Sequence, residues 1–82
     1  MNAIEKAAIA KSVATYIIDH LLVEEPMSAT ELERLAVDIT EDKGITNAGE
    51  FADITRFAVN YVSSDPRVKV ESRSSALWIT HK

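Results

Sequence analysis

The spacing of apolar residues changes once along this chain, and the change falls at Ser63-Ser64-Asp65-Pro66. Before that point apolar side chains recur at three- and four-residue steps, the period of a helix; after it they alternate, the period of a strand. The chain therefore divides into a helical body and a short extended tail. Residues 67–82 have room for one hairpin. An isolated hairpin is barely stable in water, so its apolar face has to close against the helices.

Asn2 and Glu5, Ser28 and Glu31, and Asn47 and Glu50 repeat one spacing. It is that of a capping box, in which the first side chain accepts from the backbone N–H of the third helical residue and the Glu reaches back. Three helices are expected. The first carries Ala7, Ala10, Ala14, Ile17, Ile18 and Leu21 on one face, widened by Ile4, Ile9, Val13 and Leu22. It ends near Val23 or Glu24 because Pro26 cannot continue it. A face this broad predicts a central helix with two neighbours. The second helix runs from Ala29 to about Thr40 with Leu32, Leu35, Ala36 and Ile39 as its stripe, and Met27 is placed to staple against Leu32 across the cap. Gly44 suits a left-handed residue at its end. The third runs from Ala48 to about Ser63 and gathers Phe51, Ile54, Ala58, Tyr61 and Val62.

In the tail, Val68 and Val70 alternate with Lys69 and Glu71, and Leu77 and Ile79 with Ala76, Trp78 and Thr80. Pairing Glu71 with Ala76 around a Ser72–Ser75 loop sets Val70 opposite Leu77 and Val68 opposite Ile79. All four would then close a core of Ile17, Leu21, Leu35, Ile54 and Ala58. Trp78 would lie beside Lys69 on the other face, and His81 in a frayed tail. The expected fold is α+β: a single winged-helix domain over residues 1–82, three helices followed by a C-terminal two-stranded hairpin wing.

Composition narrows the function. The chain has no cysteine, which removes disulfides and thiolate metal sites and points to a reducing, cytoplasmic setting. Lys6, Lys11, Asp19 and His20 interrupt the longest apolar run, and no signal-peptide cleavage pattern follows, so no membrane association is expected. His20 and His81 have no second imidazole at ligand spacing, and two glycines leave no phosphate-cradling loop. Glu24-Glu25 and Glu41-Asp42 are adjacent acids at helix ends, expected to be solvated. Neither a catalytic site, a metal nor a cofactor is expected.

From "SATELERLAV" through "EFADITRFAVNYVSSDPRVKVESRSSALWIT" the chain resembles winged helices of the HARE-HTH type, the kind found at the N-terminus of the delta subunit of bacterial RNA polymerase. The capped helix at Ser28, the aromatic helix with Phe51, Phe57 and Tyr61, the Asp65-Pro66-Arg67 turn and the closing strand with Trp78 carry the likeness. The resemblance implies a transcription-linked or nucleic-acid-linked interaction module.

Charge ranks the partners. Residues 1–65 hold Lys6, Lys11, Arg34, Lys43 and Arg56 against twelve acids, a balance of -7; residues 66–82 hold Arg67, Lys69, Arg73 and Lys82 against Glu71, a balance of +3. A nucleic acid would therefore meet Arg67, Lys69 and Arg73 as phosphate contacts, with Arg56 the one third-helix side chain suited to a guanine. That third helix holds Glu50 and Asp53 against Arg56, which favours a protein partner meeting Glu50, Asp53 and Trp78, and the resemblance implies that it belongs to a transcription or replication assembly. Sequence leaves the oligomeric state open.

Overall fold

A computed structural model describes residues 1–82. Helix α1 spans Ala3–Tyr16 and continues through a π-helical turn at Ile17–Leu22; β1 is Met27–Ser28, α2 Ala29–Asp42, α3 Ala48–Ser64, β2 Val68–Arg73 and β3 Ala76–His81. All three caps form. The backbone N–H groups of Glu5, Glu31 and Glu50 donate to Asn2 Oδ1, Ser28 Oγ and Asn47 Oδ1 at 2.8, 3.1 and 3.0 Å. The returning half of the box is replaced at two sites: Glu31 turns to Arg34 and Glu50 to the N-terminal amine. Gly44 ends α2 with φ +79°, the left-handed geometry expected of it.

The π-helical turn was not legible in the periodicity. It inserts an extra residue per turn, closed by the Val23 N–H donating to the Ile18 carbonyl. Adjacent pairs can then both turn inward: Ile17, Ile18 and Leu22 are buried and Leu21 half-buried. Around them, Ala10, Val13, Leu32, Ala36, Ile54, Ala58 and Val62 complete the helical core, with Leu35 half-buried at its margin. Of the residues expected to widen the apolar face, Val13 and Leu22 are in the core and Ile9 packs against it, whereas Ile4 is largely exposed.

Two expectations about the tail are corrected. The sheet has three strands in the order β1-β3-β2, because the residues after Pro26 are extended and pair with β3. The hairpin register is also shifted by two residues. Val70 lies opposite Ile79, Glu71 opposite Trp78, Ser72 opposite Leu77 and Arg73 opposite Ala76, around a two-residue turn at Ser74-Ser75. Both turn residues have positive φ, 49° and 70°, the geometry usually given to Asn-Gly. Serine carries no such signal, hence the longer loop expected from sequence.

A shift of two keeps each side chain on its face but moves it along the sheet. Val68 and Ile79 seal the core at 6% and 2% exposure with Met27 beside them, whereas Val70 and Leu77 sit farther out, at 43% and 53%. Trp78 consequently neighbours Glu71 rather than Lys69, and His81 is no frayed end but pairs with Val68. Helix, short strand, two helices and a hairpin, with β1 on the far side of β3, make a winged helix.

Ile79→Ala is expected to cost about 2–5 kcal/mol by leaving a cavity, and Val70→Ala less than half as much. Denaturant midpoints of the two variants check this, and equal losses would put Val70 back in the core. Replacing Ser74-Ser75 by Asn-Gly should stabilise the protein by about 1 kcal/mol, since these residues enter the left-handed region with little strain. No gain would argue for the wider loop.

Candidate partner interface

The basic residues of the C-terminal segment are held within the domain. Arg67 donates from Nη1 to Asp19 Oδ1 of α1 at 2.8 Å and from Nε to Asp65 Oδ1 at 3.1 Å. Lys69 and Arg73 flank Glu71, 3.5 and 3.2 Å from its carboxylate. Counting Asp19, Asp65 and Glu71 against Arg67, Lys69, Arg73 and Lys82 leaves +1, where the sequence segment alone gave +3. Such exposed pairs add little stability, but they cancel the field that would draw a phosphate backbone.

The outward stripe of α3 is Gly49, Ala52, Arg56, Asn60 and Ser63. Its first half offers no side-chain donor. Arg56 is paired with Asp53 at 3.1 Å and lies over the Phe57 ring, 5.3 Å from its centre. It shares a shallow groove of about 380 Å³ with Glu33, Val37, Thr55, Val59 and Asn60, so a carboxylate of α2 stands beside the one arginine. Helix α2 holds Glu31, Glu33, Asp38, Glu41 and Asp42 against Arg34, a balance of -4. Glu50 and Asp53 are half-buried toward α1, where Glu50 meets the N-terminal amine at 2.8 Å and Asp53 meets Lys6 at 2.7 Å. These two acids fasten α3 to α1.

Trp78 is half-buried, and its setting follows from Pro26. Because α1 stops there, Met27–Ser28 runs extended beside β3, which sets Ser28 opposite Trp78 just where Ser28 caps α2. A groove of about 550 Å³ opens between the end of α1, β1, α2 and Trp78. Leu21, Met27, Leu35 and Trp78 form its floor, and the exposed His20, Glu24 and Glu25 its rim. His20 stacks on Tyr16 with ring centres 4.9 Å apart. Glu24 and Glu25 are solvated as expected, but their place at the mouth of a groove was not expected. The signal was available in the Pro26 break, but their neighbours come from β3 and α2, far away in sequence.

No protein family, curated protein or solved structure matches this chain. No group of three or more His, Asp or Glu side chains is arranged to hold a metal ion, and no helix is long and apolar enough to cross a membrane.

Four carboxyls are held below the usual carboxylate range by hydrogen-bonded cations: Glu31 by Arg34, Asp53 by Lys6, Asp65 by Arg67 and Glu71 by Arg73. A carboxyl with a depressed folded pKa adds stability that is complete above its unfolded value of about 4 and is lost as pH falls through the folded value. Melting temperature should therefore drop on acidification below about pH 4, and Asp65→Asn should make that drop shallower. A parent indifferent to pH in this window would show that these pairs carry no linkage.

Proposed function

We propose that this winged helix is a non-catalytic protein-interaction module of a transcription or replication assembly, in keeping with its resemblance to HARE-HTH domains. The observation that carries the reading is the cancellation of its cations: Arg56, Arg67, Lys69 and Arg73 each have a carboxylate partner within the domain. Duplex affinity grows with the number of phosphates neutralised by free Lys and Arg. A duplex lying along α3 would also meet the acidic α2. For such a ligand, binding would first require breaking intramolecular pairs.

A second reading, DNA binding with phosphate contacts from the wing, is favoured by Arg56 and Asn60 on the outward stripe of α3. These are the side-chain types that read guanine and adenine edges. Titration with DNA and RNA duplexes at low and moderate salt, beside sedimentation, separates the two. The interaction-module reading expects no measurable duplex binding near physiological salt and no change on replacing Arg67, Lys69 and Arg73 by Ala. Wing-mediated binding would instead lose about 0.9 log units of salt slope per phosphate contact removed. Tight, sequence-selective DNA binding abolished by Arg56→Ala would overturn the proposal.

A further inference from the structure

We infer that the groove closed by Trp78 is a docking site for a partner segment that carries arginine or lysine next to an apolar side chain. The inference rests on the interaction-module reading and names the chemistry of its partner.

The groove combines an apolar floor with a negative rim. Leu21, Met27, Leu35 and Trp78 provide the floor, and its volume of about 550 Å³ suits a few side chains. Glu24 and Glu25 stand exposed at the mouth without a cationic partner in the domain, unlike Glu31, whose carboxylate is taken by Arg34. Both follow the end of the first helix, where unpaired carbonyls and the helix dipole add negative potential. The one basic side chain in that last turn is His20, whose ring stacks on Tyr16. An indole face attracts a guanidinium or ammonium group as well as an aliphatic chain. A cation with an apolar neighbour therefore satisfies rim and floor together, while a phosphate or an acidic peptide would meet like charge.

The chain has one tryptophan, so its emission reports this groove alone. The probe is a capped peptide of alternating arginine and leucine, titrated against the intact domain. Expected is a saturable 1:1 change in Trp78 emission, lost when glutamate replaces arginine in the peptide and much weakened when serine replaces leucine. Glu24→Gln with Glu25→Gln should weaken binding roughly ten-fold, since two rim charges that face the ligand are removed. Both positions are exposed, so the variant should melt like the parent. Glu41→Gln with Asp42→Asn makes the same charge change at the opposite end of α2 and should leave binding unchanged.

Equal weakening by the two double variants would mean general attraction to an acidic protein and overturn the inference. So would unchanged emission with no heat of binding by calorimetry, or emission that tracks self-association in sedimentation, which would make the occupant a second copy. If peptide binding fails and duplex binding is also absent, the groove assignment falls while the interaction module stands; tight duplex binding would bring down the module reading itself.

Discussion

Two residues of the central strand are paired on both sides, Trp78 and Ile79, and of the two only Ile79, opposite Met27 on β1 and Val70 on β2, is fully buried. Its side chain is also in the core, with Met27 and Val68 beside it on the same sheet face. The hairpin is consequently joined to the helices in two ways, by ladder hydrogen bonds through β1 and by apolar burial through Ile79. A free two-stranded hairpin would have neither. The third strand is short, yet it fixes where the hairpin sits, and with it which side chains stay dry. Val70 and Leu77 share the apolar face but reach past the helical body, so alternation alone overstated the core by two residues.

What the sequence made legible were the features whose cause is local. Each helix start is set by a side chain three residues from the N–H it accepts from, and all three appear at Asn2, Ser28 and Asn47. The change from helical to strand period gave the fold class. What it hid were the features decided by distant partners. β1 is two residues long and has no period to detect; it exists because Ile79 and Trp78 lie alongside. The hairpin register depends on Ser74 and Ser75 accepting positive φ, which β3 imposes by pairing Ile79 with both Met27 and Val70. The π-helical turn answers to packing on both sides of α1.

Charge shows the same distinction. Split by position in the chain, the protein has an acidic body and a basic end. Split by position in space, the contrast fades, because Asp19 from α1 reaches across to Arg67 and Glu71 serves both Lys69 and Arg73. A linear count assigns each charge to a segment, while the field at a surface is set by what lies within a Debye length, about 8 Å at physiological salt. The cations most naturally offered to phosphate are those nearest to carboxylates.

The free edge of β2 bears on which surface is left for a partner. The Lys82 N–H donates to the Arg67 carbonyl, so by the alternation of an antiparallel ladder Lys69, Glu71 and Arg73 turn their backbone groups to β3, and Val70 and Ser72 turn theirs outward. That edge could accept another strand, but Lys69, Glu71 and Arg73 flank it with charge, a common guard against edge-to-edge pairing. The Trp78 groove carries instead the unpaired Glu24 and Glu25 at its rim. Its walls come from α1, β1, α2 and β3, the elements that Ile79 holds together, so its shape persists as long as the domain is folded. A ligand there would bind the native state and not the unfolded chain, and would raise the melting temperature by mass action. Little ordering would be needed on binding, which leaves more of the contact energy as affinity. The pairing that completes the core is thus also what holds open a concave apolar surface rimmed by Glu24 and Glu25, neither of which is committed to a cation of the domain.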